Sequence, residues 1–201
     1  MKDPMRWTGL AVAGMAALLS ACAGLPERAS APARYDFGPP AAMSQPAAVR
    51  PPLALQVRAS PALDSPAMLY RLAYADARQL RAYAQSRWAM LPADLMQQRV
   101  RAGLGTAYTL APAPDGPTRV LHVELEEFCH VHVTPEQSHG LLRMRVTLVQ
   151  RMGAGEQVLA QRDLQFQQPA VRPDAASGVQ ALGAATDAAV AELVRWLQQA
   201  R

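Results

Sequence analysis

The chain has 201 residues, half of them apolar, 5% aromatic and 18% charged, which suits the buried core of one domain or at most two and excludes a polytopic membrane protein or a disordered chain. Its 20 basic residues are 19 Arg and the single Lys2, so the body of the chain can build no Walker A loop, Schiff-base lysine or Ser-Lys dyad. The net charge of +4 is scattered as single arginines, without the basic stripe and interleaved aromatics that a phosphate backbone needs, so nucleic acid is not an expected partner.

Lys2 and Arg6 precede an apolar run from Gly9 to Leu19, followed by Leu19-Ser20-Ala21-Cys22. A basic start, a short apolar stretch and small residues predict a secretory signal peptide over 1–21. The run is about 11 residues, against roughly 20 for a helix that crosses a bilayer. The cysteine after Ser20-Ala21 resembles the bacterial lipobox, in which the thiol takes a diacylglycerol before cleavage. That resemblance implies a mature chain that starts at Cys22 and is held on a membrane by acyl chains, palmitate among them, each buried methylene adding about 0.8 kcal/mol. In such lipoproteins an Asp directly after the cysteine marks retention in the inner membrane. Here Ala23 follows, which implies the periplasmic face of the outer membrane. The second cysteine, Cys129, then has no partner for a disulfide, and its apolar strand context predicts a small buried hydrophobe.

Between Ala23 and Pro52, seven residues are Pro and eight are Ala, a composition that predicts an extended tether over 22–52, reaching on the order of 90 Å when drawn out at 3.1 Å per residue. Arg34-Tyr35-Asp36-Phe37 within it reads equally as a first strand of the domain. The domain is expected over 53–201. Leu53 to Arg58 alternates apolar and polar and predicts a strand ended by Pro61; Met68 to Tyr74, after the turn-like Asp64-Ser65-Pro66, predicts a second. Leu91 to Ala102, with Leu91, Leu95, Met96, Arg99 and Val100 at spacings of three and four, Pro92 in the first turn and Gly103 and Gly105 behind it, predicts a helix. Three strands over 118–133, 141–152 and 157–167, divided by turn residues, predict an antiparallel meander. After Pro173, Val179, Leu182, Thr186, Ala189, Leu193 and Leu197 share one face of a helix over 174–199. The sum is an α+β domain: a mostly antiparallel sheet of four to six strands with two helices packed on one face.

The segments Leu63-Asp64-Ser65-Pro66-Ala67-Met68-Leu69-Tyr70-Arg71, Leu80-Arg81-Ala82-Tyr83 and Ser86-Arg87-Trp88-Ala89 resemble the ABC-type transport auxiliary lipoproteins, a family that includes paraquat-inducible intermembrane-transport lipoproteins. The lipobox, the strand Leu121 to Phe128 and the closing helix extend the resemblance over most of 53–200. It implies a non-enzymatic accessory of a system in which an ABC permease and ATPase work with periplasmic MCE-domain proteins to move phospholipid or other apolar solutes between membranes. The histidines His122, His130 and His132 depart from that pattern.

Tyr70, Arg71, Tyr83, Arg87 and Trp88 gather aromatics and guanidiniums in one window, a mixture suited to a partner surface; inward packing with snorkelling Arg stems is the alternative. On the strand over 118–133, His122, Glu124, Glu126, His130 and His132 share parity and project from one face unless a bulge intervenes. With His139 beyond the turn they could approach a metal, but a polar solvent-facing side explains them as well, and no metal or cofactor is expected. No G-x-S-x-G elbow, H-E-x-x-H pair or catalytic carboxylate pair is found. A lipid- or small-ligand carrier would need an apolar cavity between sheet and helices, and an envelope hydrolase would need a nucleophile and base drawn from distant segments.

Overall fold

The computed structural model describes residues 31–39, 52–105, 107–110, 118–153 and 155–200, and those from Pro32 onward belong to one compact unit. Cys22 and the expected signal peptide lie outside the described residues. In chain order the elements are β1 (Ala33–Tyr35), β2 (Pro52–Ala59), a 3-10 turn (Pro61–Leu63), β3 (Ala67–Leu72), the helical turn α1 (Ala73–Asp76), β4 (Leu80–Trp88), α2 (Pro92–Leu104), β5 (Thr109–Leu110), β6 (Thr118–His132), β7 (Ser138–Met152), β8 (Gly155–Pro169) and α3 (Ala175–Gln199).

The fold is α+β, but the sheet is larger than expected and is not mostly antiparallel. Its eight strands pair parallel at β1–β4, β2–β5, β2–β6 and β3–β6 and antiparallel at β3–β4, β6–β7 and β7–β8. The meander β6–β7–β8 is as predicted. The parallel part arises because β2 and β3 run one after the other along the same edge of β6: Ala54 to Ala59 pair with Val120 to Leu125, and Tyr70 to Leu72 with His130 to His132. Such pairing requires long crossovers between strands distant in sequence, and local periodicity carries no sign of it. Of the two readings of Arg34 to Phe37, the strand is the one found. β1 lies on β4, Ala33 opposite Ser86, so the stretch expected as tether is interrupted by structure at Ala33–Tyr35.

Both longer helices cover one face. α2 starts with Pro92 in its first turn and buries Leu95, Met96, Val100 and Leu104. α3 starts at Asp174, whose carboxylate accepts the Ser177 N–H at 2.7 Å, a side-chain cap for an otherwise orphaned donor. All six positions predicted for the inner face of α3 are buried. The helices cross where a Cβ on Gly103 would come within 2.1 Å of a Val190 methyl, so only glycine fits. Beneath the sheet's helix-covered face Trp88, Phe37 and Phe128 meet edge-on or tilted, with ring centroids 5.2 to 5.8 Å apart.

One irregularity decides which side chains reach that core. β6 and β7 pair in step through Leu125 and Met144, and the next pair is Glu127 with Arg143, leaving Glu126 as an extra residue. Such a bulge inverts the alternation beyond it. Leu121, Val123 and Leu125 are buried before it; Phe128, His130 and His132 take the inner face after it. Cys129 and Val131 turn to the opposite face and form a small cluster with Leu141, against Leu69 and Ala73.

Candidate functional site

The bulge separates residues that parity had grouped. His122 stays on the outer face, its Nε2 3.1 Å from Glu156 Oε2. Glu126 joins a line of charges there: its carboxylate lies 3.1 Å from Arg143 Nε and 3.6 Å from Arg145 Nη2, and Arg145 Nε reaches Asp163 at 2.8 Å. These pairs are half-exposed, so each contributes little alone, about 0–1 kcal/mol. Their role is to keep a wide sheet face polar.

His130 and His132 lie instead beneath the N-terminal end of α3. The Tyr83 hydroxyl bridges them, 2.8 Å from His130 Nδ1 and 3.0 Å from His132 Nε2. Tyr70 lies tilted against Tyr83 with centroids 4.5 Å apart and meets His132 edge-on. A Cβ on Gly178 would stand 2.5 Å from His130 Nδ1, so the glycine is what lets the helix settle onto the ring. Burial, then the neighbouring His132 and His139, push the His130 pKa down to about 4. Burial alone lowers those of His132 and His139, and chiefly burial raises that of Tyr83. All four groups are therefore neutral near pH 7. His130 Nε2 is buried with no hydrogen-bond partner. The least costly arrangement leaves it a bare lone pair, with His130 Nδ1–H donating to the Tyr83 oxygen and the Tyr83 hydroxyl donating to His132, because an orphaned buried N–H costs more.

The five residues predicted for a partner surface separate as follows. Tyr70 and Tyr83 face the helix side, half-buried. Arg71 points the other way, its Nη2 3.4 Å from Glu127 Oε1. Arg87 is exposed. Trp88 is 2% exposed, so its ring belongs to the core and is not offered to a partner. Arg99, which the sequence places on the recurring face of α2 without a role, is a buried guanidinium. Its Nη2 donates to the Phe37 carbonyl at 2.9 Å, its Nε lies 2.9 Å from Asp187 Oδ1, and its plane sits 5.7 Å from the Phe37 ring centre. It clips the residues after β1 to both helices. Its place at helical spacing among Leu95, Met96 and Val100 was the available signal.

Cys129 is buried, and its thiol is pushed up to about 11, mainly by burial; it is an inert side chain. Buried side chains of the sheet and of both longer helices form one cluster. Open clefts lie at the margins, about 660 Å³ beside Arg34, Phe37, Arg99 and Asp187 and about 570 Å³ beside Val133, Ser138, Pro169 and Val171. Among the described residues no group of three or more His, Cys, Asp or Glu is placed to hold a metal, and no helix is long and apolar enough to cross a membrane.

The domain is thus a large mixed sheet with one face under two helices and ion pairs along the other. Residues 35–194 match the family model of the ABC-type transport auxiliary lipoprotein component, and the chain belongs to that family. Its fold is similar to that of a DUF330-family protein from Xanthomonas campestris, at 20% identity and a TM-score of 0.63, over 80% of this chain and 94% of that one. It is also similar to an uncharacterized protein at 14% identity and a TM-score of 0.65, over 84% and 99%. Among curated proteins no relative matches the chain.

Proposed function

We propose that this protein is a non-enzymatic accessory of an ABC/MCE-type intermembrane transport system, moving phospholipid or another apolar solute, and that acylated Cys22 holds it on the periplasmic face of the outer membrane. The observation that carries the reading is the family match over 35–194 together with the lipobox-like Leu19-Ser20-Ala21-Cys22 ahead of it. The packed sheet–helix interior supports an accessory rather than a carrier. The partner, an MCE-domain protein or the permease, docks where β4 offers exposed Arg87 and an outer edge that β1 pairs only at Ser86 to Trp88. Tyr70, Tyr83 and Trp88 hold that edge from behind, and Arg71 approaches from the other face.

Fractionation of a Gram-negative host tests the anchor. Wild-type protein should sediment with the outer membrane and yield an N-terminal peptide carrying acyl mass on Cys22, while Cys22→Ala protein should be soluble in the periplasm. Ester and peptide substrate panels should stay blank for both. An unmodified wild-type N-terminus, or turnover of any substrate, contradicts the reading.

A further inference from the structure

The pairings align one rung of the sheet across five strands: Leu80 on β4 lies opposite Arg71, Arg71 opposite Val131, Val131 opposite His139, and His139 opposite Pro169. Everything just beyond that rung forms one end of the molecule. It comprises α1, the corner before β4, the β6–β7 turn and the segment joining β8 to α3. Four of the large apolar side chains that stand exposed are here: Leu80, Tyr74, Val133 and, at 86% exposure, Val171. Val133 and Val171 flank the open cleft of about 570 Å³, whose wall includes the Ser138 hydroxyl, buried and without a hydrogen-bond partner. Arg78 and Arg81 at the same end are exposed and enter no ion pair among the described residues. Arg81 Nε donates to Gln79 Oε1 at 2.9 Å, which leaves both guanidiniums without a carboxylate partner. Apolar tips, cationic groups and an unclaimed hydroxyl donor make a surface suited to headgroup phosphates and the upper acyl chain.

The direction of the chain says what meets this surface. β1 runs parallel to β4, with Ala33 opposite Ser86, so the chain enters β1 from the side of the Leu80 end. Leu80 to Arg87 lies opposite the four-residue step from Arg71 to Ala67 on β3, which places that end about 13 Å away. Ten residues, 23–32, join Cys22 to β1. Their contour is at most about 35 Å. We infer that the end bearing Tyr74, Leu80, Val133 and Val171 rests on the lipid surface, with the β7–β8 hairpin pointing away. The inference depends on the proposed acylation of Cys22, which alone fixes the membrane end of those ten residues.

The test uses the acylated full chain in vesicles of phosphatidylethanolamine and phosphatidylglycerol. Val133→Cys, Val171→Cys and, on the β7–β8 hairpin side, Val158→Cys are each labelled with an environment-sensitive fluorophore. All three sites are exposed, and the buried, neutral Cys129 thiol stays unlabelled. Lipids with spin-labelled acyl chains should blue-shift and quench the labels at 133 and 171 and leave 158 unchanged. Quenching at 158, or at none of the three while the N-terminal peptide carries its acyl mass, overturns the orientation and leaves the anchor standing. Protection of 133 and 171 only when a partner protein is added also overturns it, because that end is then a protein interface. An N-terminal peptide without acyl mass overturns both.

Discussion

β6 is two strands in one. From Leu121 to Leu125 polarity and orientation agree, apolar residues in and His122 and Glu124 out. From Phe128 to His132 they disagree: two histidines lie inside, while Cys129 and Val131 face the outer side. The cause is the single extra residue Glu126. A histidine's environment here is set by register and not by polarity, and the Tyr83 hydroxyl meets one nitrogen of each buried imidazole.

Substitutions on either side of the bulge test this contrast. Phe128→Ala, just beyond the bulge, should cost about 3–5 kcal/mol in urea unfolding. Gly178→Ala forces a methyl against the His130 ring and should cost about 1–3 kcal/mol, a penalty that His130→Ala relieves in the double variant.

Acid sharpens the contrast further. The folded pKa of His130, about 4, lies below the ordinary value near 6.5, so the unfolded chain binds the proton first. Stability should be level above pH 6.5 and fall between 6.5 and 4, with a shallower slope in His130→Gln protein; equal slopes contradict the buried neutral imidazole. On the other half of the strand, His122→Ala should change stability by no more than about 0.5 kcal/mol.

Much of this fold is legible in the sequence, for definite reasons. α2, α3 and β7 show because each buries one face along its length, so period and burial coincide; β8, where only Leu164 is buried, shows through the turn residues before it. β4 does not show: among its nine residues only Ser86 and Trp88 are buried, leaving no alternation to read. The parallel pairings of β2 and β3 with β6 join segments more than fifty residues apart and leave no local trace. The bulge did leave one. Apolar residues come at 121, 123 and 125 and next at 128, a jump from two to three at Glu126-Glu127. The Tyr83 bridge follows once that break is counted, since it puts His130 and His132 on the covered face. Arg87 and Trp88, adjacent in one strand, have opposite fates for the ordinary reason that neighbours face opposite sides.

That last pair also frames the functional account. The most direct measurement is affinity capture of the acylated protein from detergent-solubilised envelope, with co-purifying proteins identified by mass spectrometry and Arg87→Ala protein run beside the wild type. The account predicts an MCE-domain protein or ABC permease with the wild type and a reduced yield with the variant, whose unfolding midpoint is unchanged. Recovery of neither protein with the correctly acylated wild type would contradict the assignment to an intermembrane transport system.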